Sequence, residues 1–162
     1  MVLAAAVGNK FLELSRKEPN CSAMDQMKLQ KLLFYAHAWW LAIEKKILFP
    51  EDIEAWTWGP VVRDIYSQTA CFGRQPVAGD LRALDDNGNW IFPRLEEKSH
   101  IHHVGEVWNT HKNLTGIQLA NSTHAPGEPW TIVYDKCGGD LSSSPVIPNG
   151  LIQKIFEVKL AD

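Results

Sequence analysis

Apolar residues recur at helical intervals from the start of the chain: Leu3, Val7, Phe11 and Leu14 lie four, four and three positions apart and share one face. The spacing predicts a helix over residues 3–16, ended by Pro19-Asn20 because proline cannot continue the hydrogen-bond ladder. A longer stripe follows. Leu29, Leu32, Leu33, Ala36, Trp40, Ile43 and Ile47 keep the helical period almost without error, and Lys28, Lys31, His37, Glu44 and Lys45 occupy the opposite face. Ser22 is the expected N-cap, with Asp25 in the first turn to complement the helix dipole. Phe49-Pro50 closes this element, whose regularity marks it as the central helix.

Beyond it the pattern shortens. Ile53 to Trp58 alternates loosely and suits a short strand or extended segment. Gly59-Pro60 punctuates the chain, and proline fits a first helical turn. A third helix is therefore expected from Pro60 to about Ala70, with Val61, Ile65 and Tyr66 inward and Gly73 as the stop. Asp86-Asn87-Gly88-Asn89 carries the Asn-Gly signal of a type I′ turn, flanked by Leu81–Leu84 and Trp90–Phe92 as a short hairpin. Ile101, Val104 and Trp108 set a fourth helix over 99–113. Thr115 caps a short one through Asn121, and Pro129 opens another through Tyr134. Residues 137–150 read as loop, and Ile152, Ile155 and Phe156 as the inner face of a last helix over 151–160. No stretch looks like a linker. The expected fold is mainly α: a single compact helical domain, residues 1–162, with a small β-hairpin or short strands.

Composition narrows the function classes. A chain of 162 residues, 45% hydrophobic and 22% charged, can bury its own core without disulfides or a structural metal. Cys21, Cys71 and Cys137 are odd in number and widely spaced, which suits reduced thiols and a cytoplasmic setting. No apolar run is long enough for a membrane span. A net charge of −3 argues against broad, charge-driven binding to nucleic acid or anionic membrane. Seven tryptophans are the unusual feature. Core packing is the default for each, but tryptophan is also a frequent interface anchor.

Catalytic signals are weak. His100, His102 and His103 cluster, with His111 two turns on, but there is no HExxH and no acid at a matching offset, so a solvated cluster is expected rather than a metal site. His124 lacks a nucleophile at a useful spacing and should hold a loop by hydrogen-bonding the backbone. Neither GxxxxGK[ST] nor GxGxxG occurs, and no cofactor is implied. Lys28, Lys31, Lys45 and Lys46 read as an ordinary solvated helix face, with phosphate contact at an operator as the alternative. Trp56 and Trp58 fall on one side of an alternating segment. A domain this small cannot hide every aromatic residue, which points to an interface of Trp, Tyr and Arg around residues 56–66.

Three stretches together carry a family resemblance: Met27 to Ala42; Leu48 to Val62 with Tyr66; and Leu119 to Thr123-His124 followed by Pro129-Trp130. In this order and spacing the chain resembles the Panacea domain, the SocA-like antitoxin family also described as phage-associated GepA-like proteins. The resemblance spans roughly residues 3–160 and is weakest over 74–99. Trp58 departs from it, standing where the family often has tyrosine, and so do His37 and Trp39. It implies an antitoxin of a toxin–antitoxin system that neutralises a cognate protein toxin, encoded next to it, by protein contact without catalysis. The alternatives are an adaptor delivering the toxin to a protease, or, in a different class, a His-dependent or metal-dependent enzyme. The expected partner-contact residues are Lys28, Lys31, Trp56, Trp58, Arg63 and Tyr66. Gly59, Pro60, Thr123, His124, Pro129 and Trp130 are the family-motif residues expected to be structural.

Overall fold

The structure, a computed structural model, describes all residues from Met1 to Asp162. One helix, α2 (Gln26–Glu44), runs through the middle and is packed on every side. Around it stand α1 (Ala4–Lys17), α3 (Arg63–Thr69), α4 (Lys98–His111), α5 (Gly116–Thr123) and α7 (Asn149–Ala161). The short α6 (Pro129–Lys136) bridges α5 and α7. Two antiparallel hairpins complete the chain: β1 (Glu54–Trp56) with β2 (Gly59–Val61), and β3 (Ala83–Leu84) with β4 (Trp90–Ile91). The expected mainly helical architecture with small β elements is what the chain adopts.

The core is one continuous cluster in which Leu29, Leu32, Leu33 and Ala36 of α2 meet Val7 and Phe11 of α1, Val104 and Trp108 of α4, and Ile152 and Phe156 of α7. A helix enclosed on every side has no solvent face to give its polar residues. The expected solvated face of α2 is therefore corrected: Lys28, Lys31 and His37 are each no more than 1% exposed. The apolar stripe also stops early. Ile43 and Ile47 are about half exposed, and Lys45 takes a left-handed conformation (φ 59°) that ends the helix before Ile47.

Other boundaries shift for local reasons. Asp25, not Ser22, caps α2, its carboxylate accepting the Lys28 N–H at 2.8 Å. Pro60 lies in β2 opposite Ala55 and does not open a helix. Gly59 before it has φ 114°, and Val61 pairs with Glu54, so the chain stays extended until Arg63. The turn between β3 and β4 spans Asp85–Asn89 and is closed by Asp85, which accepts the N–H groups of Asn87 and Asn89. Only Gly88 there has positive φ, so it is not the two-residue I′ turn. Thr115 and Gln118 form the reciprocal capping box that starts α5. Residues 145–147 lie along β1: Ala55 N–H donates to Pro145 C=O at 2.7 Å, and Ile147 N–H to Ile53 C=O at 2.8 Å. No helix is long and apolar enough to cross a membrane.

Candidate functional site

The β1–β2 hairpin is the structural centre of the family-motif residues. Its two-residue tip, Thr57-Trp58, is exposed, while Gly59, Pro60 and Val61 are buried against α2 and α5. Gln30 of α2 docks the returning strand as another strand would. Its amide donates to Val62 C=O at 3.1 Å and accepts Val62 N–H at 2.8 Å. One helical residue on, Lys31 Nζ donates to Pro60 C=O at 3.2 Å. A side chain on Gly59 would meet Lys31 Cε at 2.6 Å and Thr123 Oγ1 at 2.9 Å, so the close approach of hairpin, α2 and α5 requires glycine here.

The C-terminal end of α5 and the start of α6 brace the other side. Thr123 Oγ1 donates to Ala120 C=O at 2.7 Å. The His124 ring stacks on Trp130, with centroids 3.8 Å apart and planes 13° from parallel, and Trp130 stacks in turn on Tyr134. Trp130 Nε1–H then donates to Trp56 C=O at 2.8 Å, tying α6 to the hairpin. Pro129, buried at the first position of α6, fixes the entry of that helix. His124 therefore holds its place by stacking, and the expected backbone hydrogen bond is replaced. Its Nε2 is buried with no partner, and desolvation, helped by the nearby Lys31 charge, pushes its pKa down.

In front of this scaffold lies a cleft of about 440 Å³, walled by Trp56, Trp58, Tyr66 and Val61 and closed by Gln26, Gln30, Lys31, Leu141 and Ser144. Four of the six expected contact residues meet here: Lys31, Trp56, Trp58 and Tyr66. Tyr66 packs edge-on to Trp56 at 4.8 Å. Trp58 is 67% exposed at the rim, so the default of core packing is corrected for it. Arg63, the fifth, backs the cleft. Its guanidinium lies over the Trp56 ring at 5.2 Å and grips Glu54 through Nε (3.0 Å) and Nη2 (2.7 Å). Glu54 also holds the Arg63 pKa up.

Lys28, the sixth, is elsewhere. It points towards α4 and donates to Ser22 C=O (3.0 Å), Ser22 Oγ (2.8 Å) and Lys112 C=O (2.6 Å), with Trp108 5.2 Å away. It stitches α2 to the end of α4, and the structure does not bring it to the cleft. The two buried lysines differ sharply: Lys28 has three acceptors for three N–H bonds, whereas Lys31 has one. Burial pushes the Lys31 pKa down to about 7.

The histidines of α4 are not a solvated cluster. His103 is buried with Nε2 2.8 Å from Ala36 C=O, His100 lies against Trp40, and only His102 is exposed. No three His, Cys, Asp or Glu side chains come together as a metal set. A larger hollow of about 830 Å³ lies between α1, α3 and the β3–β4 hairpin, and two of the three acids on its wall, Glu51 and Asp80, are already engaged. Glu51 accepts the Ala4 N–H, and Asp80 bridges Arg16 and Arg94.

Sequence reasoning missed two features. Gln30 stands between Leu29 and Lys31 with nothing in its spacing to mark it. Trp90 and Ile91 of β4 and Phe92 just beyond it are exposed, and the signal for it was present: a two-stranded ribbon cannot bury three consecutive apolar residues.

These features sit within a known framework. The family model described as antitoxin SocA-like, Panacea domain, matches residues 29–131, from α2 to α6, and the chain belongs to that family. Among curated proteins it is similar to Antitoxin SocA of Caulobacter vibrioides, 28% identical over 161 residues that cover 94% of this chain and 81% of the relative. No solved structure matches it.

Proposed function

We propose that this protein is an antitoxin that neutralises a cognate protein toxin by direct contact, using the aromatic cleft as the contact surface and no chemical step. The observation that carries this reading is Trp58, left 67% exposed beside a concave, braced cleft. A large aromatic in that setting is the usual anchor of a protein interface. Beneath it the scaffold is rigid: Trp130 holds Trp56 C=O, Gln30 holds Val62 on both backbone groups, and Arg63 spans Glu54 and Trp56. A preformed surface of this kind loses little entropy on binding. His124 supports a non-catalytic role, since it lies flat on Trp130 with no hydrogen-bonded nucleophile beside it.

Co-expression with the product of the neighbouring gene tests the reading. Co-purification and relief of growth arrest are expected. Failure of both overturns it.

A further inference from the structure

The Lys31 ammonium is 1% exposed, lines the cleft, and donates a single hydrogen bond, to Pro60 C=O. No carboxylate pairs with it. The nearby Asp25 is occupied as the α2 N-cap, and Glu54, the acid of the hairpin, is held by Arg63. A second donor on the same wall is also unspent: Trp56 Nε1–H is buried without a partner. Around these two donors the rim is aromatic, through Trp58 and Tyr66.

A buried cation with two idle N–H bonds costs the fold stability, and a nonpolar side chain of similar length would be better tolerated there. Lys28 shows what a settled buried lysine looks like in this same helix, with every N–H accepted. What Lys31 lacks is one negative counter-charge and two hydrogen-bond acceptors. A carboxylate supplies both, and its second oxygen can take an indole N–H.

We propose that the cleft is a receptor for a carboxylate side chain, an Asp or Glu, on the bound toxin, with Lys31 as its charge partner, Trp56 Nε1–H as a second donor, and Trp58 and Tyr66 covering the flanking apolar residues. The proposal rests on the antitoxin reading for the identity of the partner, but not for the chemistry of the pocket. Lys31 is already shielded from water, so the interaction forms in a desolvated setting, where charged hydrogen bonds are strongest.

Two measurements separate the proposal from the reading beneath it. In the first, the free protein with ¹⁵N-labelled indoles is titrated with a blocked tripeptide carrying aspartate between two leucines, and with its asparagine twin. The Trp56 indole resonance is expected to move with the aspartate peptide, to move far less with the asparagine one, and to respond to neither in Lys31→Met. Equal responses to the two peptides, or none to either, overturn the proposal whatever the toxin proves to be. In the second, the co-purified neighbouring gene product is bound to wild type and to Lys31→Met. An affinity weaker by roughly tenfold or more is expected in the variant, the loss of a charged hydrogen bond. One Asp or Glu of the toxin, changed to its amide, should cause no additional loss in the variant. Unchanged affinity in Lys31→Met overturns the carboxylate receptor and leaves the antitoxin reading standing, whereas no binding by wild type overturns that reading. Thermal unfolding of Lys31→Met confirms that the variant is folded.

Discussion

At the scale of single residues, α2 carries two buried lysines whose removal should act in opposite directions. Lys31 has its pKa at about 7 in the fold, well below its ordinary 10.5, because burial disfavours the charged form. Between those two values the unfolded chain binds the extra proton at this position, so stability contributed here rises with pH across that window. Below about pH 7 both states are protonated and the full penalty of burying the charge applies. Lys31→Met is therefore expected to raise the urea midpoint at pH 6, with the difference from wild type shrinking as the pH approaches 10. A midpoint lowered by the substitution would show that the ammonium is stabilised in a way the single Pro60 contact does not explain. Lys28 makes the opposite case. It satisfies two backbone carbonyls and the Ser22 hydroxyl, and Lys28→Met would orphan acceptors at the junction of α2 and α4. A loss of about 2–3 kcal/mol is expected in the same unfolding assay.

At the scale of elements, legibility followed periodicity. The stripes of α1, α4 and α7 face a single core, so the 3.6-residue period alone located them, as it located the inner face of α2 through Leu29, Leu33 and Trp40. What the period could not show is that α2 is enclosed on all sides. A polar residue on the face away from the stripe looks solvated in sequence, and only the packing of α5 and β2 over that face reveals Lys31 as interior. The cleft residues were legible as a chemical set, Trp, Tyr and Arg around 56–66, but Gln30 and Leu141 reach it from distant positions. Pro60 misled for a similar reason. Its preference for a first helical turn is weak beside the conformation of Gly59, which belongs to a turn no helix can begin with. Gly59→Ala tests that ranking. It places a side chain at φ 114° and drives it into Lys31 Cε and Thr123 Oγ1. A destabilisation of roughly 2–4 kcal/mol is expected from strain and overlap together. Loss of the contacts that hold hairpin and α5 together should appear as faster amide exchange at Val61 and Val62.

At the scale of the whole molecule, the two hairpins each leave aromatic residues exposed, and they are not equivalent. The β3–β4 hairpin presents Trp90, Ile91 and Phe92 beside the larger hollow, where Trp90 lines the wall and the guanidinium of Arg82 already lies over its ring at 4.6 Å. The β1–β2 tip presents Trp58 beside a concave cleft with unspent donors on its wall. Binding energy concentrates where an aromatic side chain can be enclosed with polar groups that gain partners, and no buried polar side-chain atom on the wall of that hollow is without a partner. Trp58→Ala and Phe92→Ala remove comparable exposed area and touch little of the core, so both variants should unfold within about 0.5 kcal/mol of wild type. Their effects on the toxin are expected to diverge. Trp58→Ala should weaken the complex by roughly 30-fold or more, the loss of about 2 kcal/mol typical of a central anchor. Phe92→Ala should leave it within about threefold of wild type. Titration calorimetry against the neighbouring gene product reads both numbers, and the reverse ranking would move the contact surface from the cleft to the β3–β4 face.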